Sequence, residues 1–390
     1  MTNREKILIV GGGVSGASLA IRMSKNGSDV TLVERDKFPR QKLCGEFVSP
    51  ECLRHFEDLG VMGEMNAIGG DPIFETRFYS QNGNSLCVPS GWFFDGEKGA
   101  LSISRAEMDL RMLERARECG AKVFEESRCF KVKLGIDGIS SVFVRDSRGA
   151  SREFAVDMVI DATGRSRVLG KLIDRQRNIR PEKSKERFVG FKAHFKNVRI
   201  DHGVCEIYFF DGGYGGLSFI ENEKANHCFI IDAREARKYG GDADEILKRT
   251  IFRNSRAFET LGAAEKTFDW LAVSVENFGS NQVPDISNLF TVGDAAAFID
   301  PFTGSGMLMA LESSELLANA AAREDAADIS KRVKLIKSAY ERDHARFFRR
   351  RLQICKLMHR FSFSPKLASF VIGAGNKSGP ILKAVAGMTR

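Results

Sequence analysis

Residues 6–34, KILIVGGGVSGASLAIRMSKNGSDVTLVE, leave this chain less conformational choice than any other stretch. Lys6–Val10 is a short apolar run with the length and β-branched content of a buried strand. Gly11-x-Gly13-x-x-Gly16 follows at once. Ala17, Leu19, Ala20, Ile21 and Met23 then recur at helical spacing, Asn26-Gly27 stops the helix, and Asp29–Val33 is a second strand leading into Glu34. Strand, glycine turn, helix, strand and acid, in that order, form a complete dinucleotide-binding unit. Gly11 permits the tight turn, Gly13 lets a pyrophosphate approach the backbone, and Gly16 lets helix and strand pack closely. The helix N-terminus, where Ser15 lies, offers free N–H groups and partial positive charge to a phosphate. Glu34, followed by Arg35, can accept two ribose hydroxyls and repels a 2′-phosphate, which favours FAD or NAD over NADP.

A second glycine-bearing stretch near the other end of the chain, FTVGDAAAFIDPFTGSGMLMALESS, separates FAD from NAD. Residues 289–292 read as a strand with Gly293-Asp294 at its end, where a carboxylate can receive a ribityl hydroxyl. Pro301 fixes the next loop, and Gly304-Ser305-Gly306 allow backbone to approach a flat ring. A helix predicted over 307–321, beginning at Met307, would point its N-terminus at the flavin N1/C2=O edge, where reduced flavin carries negative charge.

Four motifs together resemble the FAD-dependent oxidoreductases of the para-hydroxybenzoate hydroxylase superfamily, within it the branch of geranylgeranyl reductases and flavin-dependent halogenases: GGGVSG at 11–16, RQKLCGEFVSP at 40–50, DATG at 161–164 and GDAAAFIDPFTGSG at 293–306. The resemblance implies an α/β fold: a Rossmann-like FAD-binding domain of the glutathione-reductase type, an antiparallel β-sheet substrate domain and C-terminal helices. The expected FAD domain is discontinuous, residues 1–70, 100–170 and 285–330. The substrate sheet takes 71–99 and 171–284, and 331–390 is helical. By the same resemblance Asp161 and Gly164 lie near the pyrophosphate, Arg105 reaches the FAD phosphates from a helix start, and Arg40, Cys44 and Gly45 join the cofactor set. Cys44-Gly45 resembles the Cys-Gly beside the flavin in the reductases. Tyr214 stands at a place comparable to their aromatic motif. These two are the candidate catalytic residues, with a plain structural thiol the other reading of Cys44. Glu46 departs toward the halogenase Gly-Glu, but no W-x-W occurs and 69–79 contains no Lys, so halogenation is not expected.

Runs such as FVGFKAHF, CEIYFF, GLSFI and HCFIID predict the substrate sheet. Phe191, Phe195, Tyr208, Phe210, Tyr214 and Phe219 are its candidate substrate-facing residues. With 30 Phe against 5 Tyr and 2 Trp, the chain has large apolar surface with few polar handles, which suits an apolar substrate as well as a core. His194, His227 and Tyr208 are read as structural, so no general base emerges. From Ile329 onward, Val333, Ile336, Tyr340, Phe347, Ile354, Met358 and Phe361 keep helical spacing, with a basic opposite face open to peripheral membrane contact.

The net charge is +8, but Lys and Arg are spread apart from a dense region at 342–360, and no nucleic-acid module accompanies them. The eight cysteines show no C-x-x-C and no metal-ligand spacing, so no metal is expected; with no apolar run near spanning length and no secretory leader read in MTNREKILIVGGG, a cytoplasmic location fits. A single glycine fingerprint means electrons come from NAD(P)H bound transiently at the flavin face or from a flavin reductase partner. The expected activity is reduction or desaturation of an apolar, conjugated isoprenoid, polyketide or lipid-like molecule through flavin N5. The alternative is a monooxygenase hydroxylating an aromatic or polyketide substrate through a C4a-hydroperoxide, and a non-catalytic flavin sensor is the third reading.

Overall fold

The computed structural model describes residues 5–92, 99–179, 187–275, 278–363, 368–369 and 372–373. Phe93, Phe94, the side chains of Met358 and Phe361, and residues 374–390 of the expected helical tail lie outside them.

Strand Lys6–Val10 buries every residue but its lysine, as a central strand covered on both faces must. It is the middle of a five-stranded parallel sheet in the order Leu289–Thr291, Met158–Asp161, Lys6–Val10, Asp29–Val33, Lys122–Phe124. The register aligns the strand ends: Val10 pairs with Val33 and with Asp161, and Asp161 pairs with Thr291. One edge therefore carries Gly11, Glu34, Thr163 and Gly293 together, at the carboxyl ends of strands where open α/β sheets bind ligands. Helices Val14–Lys25, Arg105–Glu118 and Gly306–Arg323 pack on one face through Leu19, Met112 and Leu311. The other face is covered by a three-stranded antiparallel sheet, residues 127–155, through Val132, Val142 and Val144.

The larger sheet has eight strands. It is antiparallel as expected except for one pair: Val204–Phe210 runs parallel to Glu75–Tyr79. Glu75–Tyr79 reaches the sheet from the flavin-binding region, not through a hairpin, so its direction is free of the hairpin constraint.

The alternation of this sheet corrects the expected substrate-facing set. Phe191, Phe195, Tyr208, Phe210 and Phe219 point away from the flavin-binding region and close a core against helices Ala243–Arg249 and Ser255–Leu261. Tyr214 alone of the six points the other way, with Phe188, Phe209 and Ile230. A period of two offers two phases, and all these strands are aromatic on both faces, so composition did not reveal which phase faced inward.

Helix Gly306–Arg323 contains the predicted 307–321, and Ile329–Ser362 starts where predicted. Val333, Ile336 and Tyr340 are buried, whereas Phe347 is 49% exposed.

Candidate functional site

The glycine loop has no room for side chains. A Cβ on Gly16 would sit 1.9 Å from the Gly11 carbonyl oxygen, and one on Gly11, at φ +109°, would sit 2.4 Å from that of Ala162. Gly13 differs: a Cβ there would meet only three cations, Lys42 Nζ at 3.6 Å, Arg40 Nη2 at 3.8 Å and Arg105 Nη2 at 4.0 Å. Asp109 is their shared counter-ion, accepting from Arg105 Nε at 2.8 Å, Arg105 Nη2 at 2.7 Å and Arg40 Nη1 at 3.0 Å. Asp36 adds a second, longer contact at 3.7 Å from Arg40 Nε, so two carboxylates in contact with three cations leave a surplus of positive charge at the start of helix Val14–Lys25. Lys42 has no hydrogen-bond acceptor among the described residues, and its ammonium is pushed down to about 8 by burial and by Arg105 and Arg40. A diphosphate fits this cradle by space and by charge.

The second motif closes on the first. Gly293, at φ +60°, lies so near Ser15 that a Cβ would be 2.8 Å from its Oγ. Ser18 and Ser314 join their helices through a 2.6 Å hydroxyl pair, and the Gly293 N–H donates to Ser313 Oγ at 2.9 Å. Gly164 faces both Asp294 Cβ and Lys42 Nζ at 3.9 Å. The Asp294 carboxyl is raised above the usual carboxylate range by burial, against the pull of Lys42, Arg165 and Arg105. Both glycine motifs thus meet at one cradle, with Arg105 at its wall.

The other expected cofactor residues differ in their surroundings. The Glu34 carboxylate accepts the Gly12 N–H at 2.7 Å and the Asp36 N–H at 3.0 Å, so it braces the loop while keeping lone pairs for a ribose. Arg35 is largely exposed and donates to Asp36 at 3.3 Å, turned away from the cations around Gly13. Asp161 is fully occupied in holding its own turn: it accepts from Thr163 Oγ1 at 2.5 Å, Leu169 N at 3.0 Å and Gly170 N at 3.3 Å. Around Gly45 and Gly306 the space is open, with nothing within 4 Å of where a Cβ would stand, and Gly304 at φ +62° lies against Phe47 at 3.3 Å. Pro301 is exposed beside them, and Met307 packs back onto the core.

Beside Cys44 the structure reveals a buried polar corner that sequence reading passed over. Glu46, at φ +56° and fully buried, pairs with Lys192 Nζ at 2.5 Å, His194 Nε2 at 2.9 Å and the Arg105 N–H at 2.7 Å. Burial opposes its charge, but Lys192 and His194 outweigh that and hold its carboxyl below the usual range. The remaining Lys192 donors go to Gln41 Oε1 at 3.1 Å and the Lys42 carbonyl at 3.2 Å. Lys192 and His194 sit at alternate positions of an otherwise apolar strand, FVGFKAHFK, and that phase was the available signal. Asn226 adds a bond to the Cys44 carbonyl at 3.1 Å. Cys44 is half-buried, and its Sγ accepts the Glu46 N–H at 3.4 Å.

Tyr214 is buried, with its hydroxyl committed to Asp300, and burial then Asp300 push its phenol well above the usual range. Its ring meets Phe302 at 5.2 Å, and Phe302 meets Phe209 at 5.8 Å and Phe78 at 5.9 Å. An aromatic wall therefore stands directly beside the 301–306 loop, continuing the face that carries Lys192 and His194. Away from the cradle, His55, Asp58 and Glu315 converge, but Arg22 already lies 3.2 Å from the His55 ring and 3.7 Å from Glu315.

Comparison with known proteins agrees with this geometry. A family model described as "FAD binding domain" matches residues 4–325. The chain is 23% identical over 323 residues to the tryptophan 2-halogenase of Chondromyces crocatus, covering 80% of this chain but only 60% of that protein. It is 25% identical over 327 residues to the digeranylgeranylglycerophospholipid reductase of Methanosarcina acetivorans, covering 81% and 74%. A flavoprotein/dehydrogenase from Cytophaga hutchinsonii shares the fold, with a TM-score of 0.80 at 20% identity over 98% of this chain and 92% of that one.

Proposed function

The chain belongs to the FAD binding domain family and is an FAD-dependent oxidoreductase; on that premise we propose that it reduces or desaturates an apolar, conjugated molecule of isoprenoid, polyketide or lipid-like class. The observation that carries this reading is the wall of Phe78, Phe209, Tyr214 and Phe302 beside the 301–306 loop. FAD, when bound, supplies two-electron transfer through its N5. The surplus cations Lys42, Arg40 and Arg105 would hold its diphosphate, Glu34 its ribose, and the turn at Gly293-Asp294 its ribityl chain. The aromatic wall binds apolar substrate and excludes water, while Asp300 fixes the Tyr214 ring edge-on to Phe302. Among the described residues there is no second glycine fingerprint, which supports NAD(P)H at the same face or a flavin reductase partner as donor. Peripheral membrane contact belongs to this reading: Arg342, Arg346, Arg349 and Arg350 are exposed along one helix, and no helix among the described residues is long and apolar enough to cross a membrane.

A second reading, oxygen transfer to an aromatic or polyketide substrate, draws on similarity to the halogenase and on the Lys192–Glu46–His194 corner beside Cys44. Against halogen chemistry, the three ammonium donors of Lys192 are all taken, leaving none for an oxidant. Anaerobic photoreduction of the FAD-loaded protein separates the readings. Mixing the reduced protein with a polyprenyl acceptor is expected to restore the oxidised flavin spectrum without oxygen. No reoxidation by such acceptors, together with a new absorbing species lasting seconds after an oxygen pulse, would replace the first reading with the second.

A further inference from the structure

A cavity of about 440 Å³ lies between helix Ile329–Ser362 and the outer strand Leu289–Thr291 of the parallel sheet. That volume is in the range of small-molecule sites. Leu289, Phe290, Tyr340, Phe348 and Leu352 form its apolar walls. None of the residues around Gly13 lines it, so it is separate from the cofactor cradle. Its polar groups are not distributed evenly. Lys337 is satisfied by the Leu289 carbonyl at 2.9 Å and by Glu341 at 2.8 Å, which neutralises the one acid in the lining. Arg349 has no acidic partner among the described residues and is exposed at the rim, with Arg346 and Arg350 beside it on the same helix. His344, flanked by Tyr340 at 5.5 Å and Phe348 at 4.6 Å, has no hydrogen bond among the described residues. Burial pushes it down to about 4, so it is uncharged at neutral pH.

We propose that this cavity is a second binding site, for a single-chain amphiphile with an anionic head, its tail against Phe290, Tyr340 and Phe348 and its head at Arg349. An apolar chamber with an unpaired cation at its mouth rewards both halves of such a molecule, and a neutral chain leaves Arg349 without a partner. The cavity also touches the cofactor turn from behind. Asn281, in its lining, donates to the carbonyls of Asp294 at 2.9 Å and Ala295 at 3.2 Å.

Calorimetric titration of the FAD-loaded full chain with sodium dodecanoate below its micelle concentration tests the site. One saturable site is expected, with 1-dodecanol binding about tenfold more weakly or worse. Ala345→Trp, which puts a ring into the cavity from an exposed helix position, is expected to weaken dodecanoate by about tenfold or more. Arg349→Glu is expected to erase the preference for carboxylate over alcohol. The proposal fails if dodecanoate does not saturate below about 1 mM, if A345W binds it like the parent, or if acid and alcohol bind equally. It also fails if the chain pellets with phosphatidylglycerol vesicles yet takes up no monomeric dodecanoate, since the arginines would then serve a membrane surface.

Discussion

Lys42 carries the most direct consequence of the cradle's charge. Its ammonium is pushed down to about 8 in the folded chain, below the ordinary lysine value, because burial, Arg105 and Arg40 all disfavour the proton. In the FAD-free protein this destabilises the fold at pH values below about 8, and the penalty is relieved as pH rises from there toward the unfolded lysine value. A diphosphate beside Gly13 reverses the preference, so binding above pH 8 takes up a proton. FAD affinity is therefore expected to fall as pH rises from 7.5 to 9, approaching about tenfold per pH unit at most, the slope of one linked proton. Lys42→Met should bind FAD more weakly and show a flat profile, read by fluorescence quenching. A parent profile that is equally flat would remove Lys42 from the cradle. Sequence motifs alone identified Gly11 and Gly16 because only glycine fits there, and Gly13 because a side chain would stand where a diphosphate approaches the backbone. Lys42 stood within RQKLCGEFVSP without a role, since a lone lysine becomes a ligand only through its neighbours in space.

The meeting of strand ends is a property of elements. Gly293 lies just past one edge strand and Ser15 lies in the first turn of helix Val14–Lys25, and their contact joins the two glycine motifs. Gly293→Ala forces a side chain into a left-handed conformation, worth about 1–2 kcal/mol, and drives its Cβ into Ser15 Oγ. We expect this variant to lose FAD while keeping its circular dichroism, and Ser15→Gly to restore part of the binding by opening space. If G293A and G293A/S15G retain FAD equally, the contact is not what positions the cradle. The local elements themselves were legible: strand Lys6–Val10, its glycine turn, and helices Gly306–Arg323 and Ile329–Ser362 follow from the spacing of apolar and glycine residues. The phase of the large sheet was not, because Phe occupies both faces of its strands and either phase buries comparable apolar area.

At the scale of the whole molecule, buried polar contacts tie the large sheet to the flavin-binding region. Lys192 to Glu46, Asn226 to the Cys44 carbonyl, Ser218 to Ser102 and Tyr214 to Asp300 all cross that boundary. Removing one partner of a buried pair strands a charge, so Lys192→Met is expected to cost about 3–5 kcal/mol in urea unfolding. K192M/E46Q should recover part of that loss, because neither charge is then left alone. A double variant no more stable than K192M would show that Glu46 depends chiefly on His194 and the Arg105 amide. The amino-acid sequence by itself determined the cofactor class and the two glycine motifs that meet in the cradle, because tight turns, close backbone approach and helix starts are local demands that only a few residue types satisfy. Tertiary structure alone decided which aromatic face lines the site, which cation stays unpaired, and that Glu46, Lys192 and His194 share one corner. The last of these rests on contacts between residues 146 and 148 positions apart, and no local pattern encodes which of two buried faces ends up against a ligand.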